Sequence, residues 1–321
     1  AHIGAMRGAA MKDADLVITV GRKLDFQLAF GSPAVFGDAA FLRISDVAAE
    51  LTDNRLGDVA LLGDVALSLD ALADRLCGAE VNRDWTRSLR ERHLQRTAGL
   101  ADTLATAPSD ALGRIHPNRL LGEIRKRLDA DAIVIADGGD FLSFSRIALS
   151  SSTYLDPGPL GCIGLATPFA IGAAKAAPGR QVVAATGDGA FGFSAMEIDT
   201  AIRHKVPMMV VVSNNGSWAI EVRDQIERFD KVVGTKLQFA DYAAMARSFG
   251  LKAWRIEDEE AIAPALDAAF AAMAEGHTVL IDAITSPEAT SSDSKTGLAW
   301  VPDFQALAAW DKAERAWLGV M

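Results

Sequence analysis

Short runs of apolar residues alternate with longer amphipathic stretches along most of the chain, and "MMVVVS" at residues 208–213 is the clearest run. A strand without polar alternation is typical of a parallel sheet that helices cover on both faces. The alternation predicts an α/β fold made of such sheets. In the second half, strands are predicted at 132–136, 181–186, 208–213, 251–256 and 278–283, and helices at 166–176, 195–204, 242–249 and 259–274.

The first part of the chain has the same character on a smaller scale. Apolar runs predict strands at 16–20, 41–44 and 59–61, followed by a helix at 67–76. A charged, helical stretch at 83–106 then precedes "IHPNRLLGEIRKRL", in which Pro117 suits the first turn of a helix. The sequence therefore predicts two α/β units joined by a helical linker.

Composition excludes several classes of function. The 321 residues are 50% hydrophobic and 23% charged, which is typical of a globular protein, and the net charge of −10 argues against duplex nucleic acid as a partner. The uncharged stretch at 157–174 contains prolines and glycines, so it predicts a loop and a buried helix in place of a membrane span. Cys77 and Cys162 match neither a disulfide framework nor a zinc spacing, and we expect buried thiols in a cytoplasmic protein.

Two polar turns follow neighbouring predicted strands. Gly187-Asp188-Gly189 comes after 181–186, and Asn214-Asn215 comes after 208–213. The carboxyl ends of parallel strands meet at one edge of a sheet, where ligands bind. Glycine lets the backbone approach an anion, and Mg²⁺ takes a few protein oxygens and completes its shell with phosphate and water. Two ordinary turns are the alternative, but the pairing favours a magnesium ion that holds a diphosphate.

GDG, 24 intervening residues and NN together resemble the cofactor motif of thiamine diphosphate enzymes. The resemblance implies that Mg²⁺ is bound by Asp188, by the side chain of Asn215 and by the backbone carbonyl of Ser217. The loop "DGGD" at 137–140 resembles the second diphosphate contact of the family. The implied cofactor contacts are Gly138, Gly139, Asp140, Gly187, Asp188, Gly189, Ala190, Asn215, Ser217 and Trp218.

The segment "GPLGCIGLATPFAIGAA" resembles the part of the family that lies beneath the cofactor. The resemblance implies that Ile163 is the wedge that bends the cofactor and that the carbonyl of Gly161 accepts a bond from its aminopyrimidine. Bending places the exocyclic nitrogen where it can act as an intramolecular base. From the residues alone, Ile163 would be a core side chain.

The family also uses an activating glutamate in an N-terminal domain, which is not found in this chain. We therefore expect the sequence to lack an N-terminal part of the polypeptide. The resemblance implies the second half of a central α/β domain at 1–80, a linker helix at 81–110, a pyrophosphate-binding domain at 111–285 and a tail at 286–321. It also implies a homodimer or homotetramer with the active site between subunits.

Within the family, the stretch "ADLVITVGRKLDFQLAFG" is similar to the acetolactate synthase and 2-hydroxyacyl-CoA lyase branch, which includes oxalyl-CoA decarboxylase. Central domains of that branch often hold FAD or ADP, so the resemblance implies a possible nucleotide site here. Arg22, Asp46 and Asp64 are candidate contacts, and each is equally well explained as a solvated loop charge.

Two features bear on the reaction. Glu221 follows Trp218 and resembles a glutamate of bacterial 2-hydroxyacyl-CoA lyases, which would exchange a proton with the substrate hydroxyl; an exposed helix residue is the alternative. The tail would close over the site as a lid, with Lys295 near a phosphate of coenzyme A, or pack on a neighbouring subunit. The leading hypothesis is a 2-hydroxyacyl-CoA lyase, the second an acetolactate synthase acting on 2-oxo acids, and the third a non-catalytic homologue.

Overall fold

The computed structural model describes residues 7–80 and 83–291, except for the side chains of Arg7, Phe26, Ala34, Pro159 and Arg228. The described residues form two compact units, which divide between residues 98 and 99, inside the predicted linker. The predicted tail from residue 292 onward, including Lys295, lies outside the described residues. The lid function and the exact domain limits therefore stay predictions.

The first unit contains a three-stranded parallel sheet in the order β1-β2-β3. Its strands are β1 (Leu16–Val20), β2 (Ala40–Ser45) and β3 (Val59–Leu62). Its helices are α1 (Arg7–Asp13), α2 (Pro33–Phe36), α3 (Ala48–Thr52), α4 (Val65–Leu76) and α5 (Asp84–Ala98). All three strands were predicted, because each is mostly apolar, although Thr19 interrupts β1 and Arg43 interrupts β2. The core of this unit is small and is centred on Leu24, Phe36, Ala39 and Phe41.

The second unit contains a six-stranded parallel sheet in the order β5-β4-β6-β7-β9-β8. Its strands are β4 (Ile133–Ala136), β5 (Thr153–Leu155), β6 (Val182–Gly187), β7 (Met208–Asn214), β8 (Lys252–Ile256) and β9 (Thr278–Ile284). Its helices are α6 (Leu100–Thr106), α7 (Pro117–Arg125), α8 (Asp140–Ala148), α9 (Ala166–Ala176), α10 (Asp188–Ser194), α11 (Glu197–Arg203), α12 (Ala219–Phe229), α13 (Tyr242–Ser248) and α14 (Ile262–Ala274).

Successive residues of the central strands face opposite hydrophobic clusters. Val134 and Val211 belong to the cluster that includes residues of α7, α8 and α14. Ile135 and Val210 belong to the cluster that includes residues of α9, α11 and α13. Because both faces of the sheet are covered, its strands have no polar face, and this explains runs such as "MMVVV". The predicted α/β class, with parallel sheets between helices, is confirmed.

Three differences from the sequence-based expectation concern local structure. The edge strand β5 and the helices α8 and α12 were not predicted, because β5 is only three residues long and the helices begin inside Gly-rich or polar motifs. Helix α10 begins at Asp188 itself, so GDG is the start of a helix and not a free turn. The expectation of buried thiols was wrong, since both cysteines are exposed.

In the part of the chain that the structure describes, no helix is long and apolar enough to cross a membrane. The segment at 157–174 is a 3₁₀ turn at Gly158–Leu160, a loop and most of α9. Its composition therefore reflects packing of α9 on the sheet, where Ala166, Ala170 and Ala174 are buried.

Candidate cofactor site

The two polar turns meet at one edge of the sheet. Strands β6 and β7 run parallel and pair Gly187 with Ser213, so Asp188 and Asn215 both follow directly on paired strand ends. The carboxylate oxygen Oδ2 of Asp188 accepts a hydrogen bond of 2.7 Å from the backbone N–H of Gly216. The expectation that the turns converge is confirmed by this contact.

Asp188 is a buried carboxylate held only by backbone donors. It is 2% exposed, and its Oδ1 accepts a hydrogen bond of 2.9 Å from the N–H of Gly189. Burial raises the pKa of Asp188 to about 6, although the N–H groups of Gly189 and Gly216 favour the charged form. Across residues 7–80 and 83–291, no ion pair reaches this carboxylate. A buried, charge-bearing oxygen ligand without a basic partner suits a cation site.

Asn215 and Ser217 form a compact turn beside Asp188. The amide oxygen Oδ1 of Asn215 accepts bonds from the N–H of Ser217 at 3.1 Å and from its hydroxyl at 3.2 Å. Gly216 between them has a φ of +64°, and a Cβ there would lie 3.1 Å from the ring of Phe239. An L-residue would be strained at this position, so the glycine shapes the turn. Metal binding by Asn215 and Ser217 stays a prediction.

Gly189 is required by space and not by backbone angle. A Cβ built on Gly189 would lie 2.6 Å from the indole Nε1 of Trp218. Gly187 has a φ of −77°, and neither glycine of GDG is in the left-handed region, so neither is required here for its backbone angle. The ring centroids of Trp218 and Phe193 are 6.1 Å apart, so the indole lies along α10, near Gly189 at its start and near Phe193 at its end.

The "DGGD" loop packs against the same site. Gly138 has a φ of +87°, and a Cβ there would lie 3.3 Å from the backbone nitrogen of Gly187. Asp137 is fully buried, and its carboxylate accepts bonds from the N–H groups of Gly138, Gly164 and Ala166 at 2.6, 2.9 and 3.0 Å. Sequence reasoning did not assign Asp137 a role. The structure shows that it fastens the segment after Gly161 to the end of β4.

Asp140, the last residue of that loop, is 9% exposed and begins α8. Its carboxylate forms two hydrogen bonds with the guanidinium of Arg223, of 2.7 and 3.1 Å. Burial raises the pKa of Asp140, while the bonds to Arg223 oppose that shift. Arg223 was absent from the sequence-based site, although its position two residues after Glu221 placed it near the turn. A cofactor contact by Asp140 stays a prediction.

The predicted wedge segment lies after a 3₁₀ turn and before α9. Gly161 has a φ of +64° and is exposed, and Ile163 is half-buried. Gly164 has a φ of +94°, and a Cβ there would lie 2.5 Å from the Cβ of Phe193. This glycine therefore lets the segment approach α10 closely. The catalytic roles of Gly161 and Ile163 stay predictions.

Glu221 lies in the first turn of α12, three residues after Trp218. Its side chain is solvent-exposed, but neighbouring atoms partly desolvate the carboxylate and raise its pKa, and the negative charges of Asp224 and Asp140 add to the shift. A raised pKa brings a carboxylic acid closer to the pH at which it can both take up and release a proton efficiently. Its catalytic role stays a prediction.

A buried polar network fixes the end of β7. The amide nitrogen of Asn214 donates to Oδ1 of Asp282 at 3.0 Å and to the carbonyl of Ala240 at 2.8 Å. Asp282 is fully buried and also accepts from the N–H of Tyr242 at 3.0 Å and from the guanidinium of Arg255 at 3.0 Å. Asn214 therefore has a structural partner on β9, whereas the amide oxygen of Asn215 next to it accepts hydrogen bonds from Ser217 within the turn.

The candidate nucleotide contacts of the first unit have local partners. Arg22 forms a 2.5 Å ion pair with Asp25. Asp64 caps α4 by accepting from the N–H of Leu67 at 2.9 Å, and Asp46 is exposed. Binding of ADP or FAD by these residues stays a prediction.

Comparisons with known proteins agree with this geometry. Residues 139–283 match the family described as thiamine pyrophosphate enzyme, C-terminal TPP binding domain. A probable acetolactate synthase of Mycobacterium bovis is 32% identical over 291 residues, which are 88% of this chain and 50% of that protein. The 2-hydroxyacyl-CoA lyase 2 of Caenorhabditis elegans is 32% identical over 80% of this chain and 41% of its own length.

The human 2-hydroxyacyl-CoA lyase 2 is 29% identical over 88% of this chain and 45% of its own length. The chain thus spans about half the length of the curated relatives it matches. The matched family domain contains Asp188, Asn215 and the turns around them. Residues 139–283 therefore belong to the thiamine pyrophosphate enzymes, and the chain as a whole is similar to acetolactate synthases and 2-hydroxyacyl-CoA lyases.

Proposed function

We propose that this chain supplies the cofactor-binding part of a thiamine diphosphate- and Mg²⁺-dependent 2-hydroxyacyl-CoA lyase. The enzyme would cleave a 2-hydroxyacyl-CoA reversibly into formyl-CoA and an aldehyde or ketone. The observation that carries the proposal is the contact between the buried Asp188 carboxylate and the Gly216 N–H, inside a domain that matches thiamine pyrophosphate enzymes.

The donor set at this edge fits a magnesium ion. Asp188 contributes a carboxylate that no basic side chain neutralises among the described residues, and Asn215 and Ser217 offer an amide and a backbone carbonyl beside it. These are hard oxygen ligands, few in number, as Mg²⁺ requires when phosphate oxygens complete its shell. Oδ1 of Asn215 has two lone pairs, and both already accept hydrogen bonds from Ser217. A metal ion bound to this oxygen would therefore displace one of them, that of the Ser217 hydroxyl.

The backbone of the loop after β4 and of the start of α10 would hold the diphosphate through N–H groups. Gly138, Gly139 and Gly189 let the surrounding segments lie close together, because a Cβ on them would meet Gly187, Ile220 and Trp218, respectively. Ala190 adds only a methyl group. Ile163 and the carbonyl of Gly161 would orient the rest of the cofactor from the segment that Asp137 holds in place.

Bound thiamine diphosphate supplies the electron sink that carbon–carbon cleavage needs. The chain contributes proton transfer through Glu221, which would take the proton of the substrate hydroxyl during cleavage and return it during condensation. The raised pKa of Glu221 and its place one turn after the metal-binding residues support this role.

An acetolactate synthase-type reaction on 2-oxo acids is the second candidate, because relatives of both kinds match the chain to a similar degree. Incubating the full-length protein with thiamine diphosphate and Mg²⁺, and separately with a 2-hydroxyacyl-CoA and with pyruvate, distinguishes the two. Formyl-CoA from the first substrate supports the lyase. Acetolactate from pyruvate, without formyl-CoA from the acyl-CoA, supports the synthase, and turnover of neither supports a non-catalytic homologue.

The family likeness also supports a homo-oligomer, a dimer or a tetramer with the active site between subunits. The cytoplasmic location stays a prediction. Light scattering of the full-length protein, with and without the cofactor, tests the assembly. A monomer in both conditions contradicts it.

A further inference from the structure

One ion pair joins the DGGD loop at 137–140, called the cofactor loop below, to α12, the helix that follows the Asn215–Ser217 turn. Arg223 of α12 donates through Nη2 to Oδ1 of Asp140 at 2.7 Å and through Nη1 to Oδ2 at 3.1 Å. The side chains are 25% and 9% exposed, respectively. Two parallel N–H···O bonds to one carboxylate fix both partners in orientation as well as in position.

The same two elements also touch through apolar atoms. A Cβ on Gly139 would lie 2.9 Å from Cδ1 of Ile220, so α12 packs directly on the backbone of the cofactor loop. Arg223 further donates to the carbonyl oxygen of Ala289 at 3.4 Å. The start of α12 is thus held against α8 by Ile220 and by Arg223, on either side of Glu221.

Charge makes this pair more than a packing contact. Asp140 ends the loop whose Gly138 lies against Gly187, so this negative residue belongs to a loop that borders the place proposed for an anionic diphosphate. Arg223 is the only basic side chain with a hydrogen bond to Asp140 among the described residues. A buried carboxylate that lost this partner would be left uncompensated next to the diphosphate, which is a costly arrangement.

We propose that Arg223 is a positioning residue of the diphosphate site, which neutralises Asp140 and fixes the start of α12 against the cofactor loop. The inference rests on the proposed cofactor site, and it assigns neither Arg223 nor Asp140 a direct contact with the diphosphate. It therefore replaces the Asp140 contact that the family resemblance implies. Its consequence is specific: the charge of Asp140 harms cofactor binding only when Arg223 is missing.

The test measures the dissociation constant of thiamine diphosphate by calorimetry, with the full-length protein in excess MgCl₂. R223Q is expected to bind at least about tenfold more weakly, a change of about 1.4 kcal/mol. The double variant R223Q/D140N replaces the ion pair with a neutral hydrogen-bonding pair, and we expect it to bind within about threefold of the wild type. R223K keeps the charge but loses the fork geometry, so an intermediate loss is expected.

Arg127 provides the matched control. Its side chain is 18% exposed and pairs with Glu123 and Asp267. Arg127 precedes β4 in the chain, whereas Asp140 follows it, so the two lie at opposite ends of that strand. R127Q should leave the dissociation constant unchanged. That result would show that losing an arginine ion pair elsewhere in this unit does not by itself weaken cofactor binding.

The double variant decides the outcome. If it binds as weakly as R223Q, Arg223 acts by direct contact or by packing alone, and the proposal is overturned. If R223Q is insoluble, the double variant is compared with the wild type: binding within threefold supports the proposal, and a loss of tenfold or more overturns it. A wild-type protein that binds no thiamine diphosphate would overturn the proposed function itself, whereas equal binding by wild type and R223Q overturns only this inference.

Discussion

The carboxylate of Asp188, at the first position of α10, accepts a 2.7 Å hydrogen bond from the backbone N–H of Gly216, in the turn after β7. This single bond joins the two polar motifs of the sequence into one site. It also directs the buried carboxylate toward the turn that contains Asn215 and Ser217. Several expected outcomes depend on that arrangement.

Removing the carboxylate proposed to bind the metal should weaken cofactor binding strongly. D188N keeps the size of the side chain but removes its charge and one acceptor, and we expect thiamine diphosphate affinity in excess Mg²⁺ to fall at least about 100-fold, by analogy with the loss of a buried charged ligand. Calorimetry measures the change. D199N, on α11 in an exposed pair with Arg203, is the control and should bind normally. Tight binding by D188N would show that the cation lies elsewhere.

The close approach of Trp218 to Gly189 predicts a steric effect. G189A places a methyl group 2.6 Å from the indole Nε1, so the start of α10 or the ring must move, and we expect weaker cofactor binding together with a loss of about 1–3 kcal/mol in stability. Gly192, on the same helix, has no atom near its added Cβ. G192A should therefore be neutral or slightly stabilising.

If both glycine variants behave alike, space at Gly189 is not limiting. The thermal midpoint and the cofactor dissociation constant of each variant check this. G189A combined with W218F, which shortens the ring, should recover part of the loss.

Burial of Asp188 predicts a specific pH dependence for the cofactor-free protein. The pKa of Asp188 rises from the ordinary value of 3.8 to about 6 on folding, so the folded state holds the proton more tightly than the unfolded state. The stability that this group contributes is fully present below pH 3.8 and is lost as pH rises through 6. The expected loss is about 3 kcal/mol.

Urea unfolding with a chelator present, between pH 4 and 7.5, measures this effect against D188N, which does not titrate here. The free energy of unfolding of the wild type, relative to that of D188N, should fall as pH rises across that window. A constant difference would contradict the raised pKa. Cofactor and metal binding should weaken below pH 6, because protons compete for the same oxygens.

The hydrogen-bond network around Asp282, at the end of β7, predicts a large effect on stability outside the proposed cofactor contacts. D282A removes the acceptor of Asn214, Tyr242 and Arg255 in a fully buried place, and we expect a loss of about 2–4 kcal/mol. D199A breaks only an exposed ion pair and should cost less than about 1 kcal/mol. Chemical denaturation compares them, and equal losses would show that the buried network contributes little.

Glu221 should affect turnover without affecting cofactor binding. E221Q removes the proton acceptor, so we expect kcat with the preferred substrate to fall about 100-fold, which is within the usual range for a general base, while thiamine diphosphate affinity stays within about twofold. Glu227 is exposed on the same helix, and E227Q is the control. Unchanged turnover in E221Q would assign Glu221 to the solvated surface.

Much of the fold could be predicted because the apolar runs are local signals. Strands β7 and β9 are buried over their whole length, and their apolar composition identified them. The apolar run of β1 identified it as well, although that strand is largely exposed. Strand β5 was missed because three half-buried residues show no period. The exposure of Cys77 and Cys162 could not be predicted, since composition does not determine which side of a loop faces solvent.

The sequence by itself determined the α/β class, the family and the edge of the sheet at which the site lies, because strand periodicity and strand-end motifs are encoded within short stretches. Only the tertiary structure decided which side chains meet there. Asp137 reaches Gly164 across 27 positions, Asp188 reaches Gly216 across 28, and Arg223 reaches Asp140 across 83. Such partners are chosen by how helices pack on the sheet, and packing depends on contacts between residues far apart in the chain.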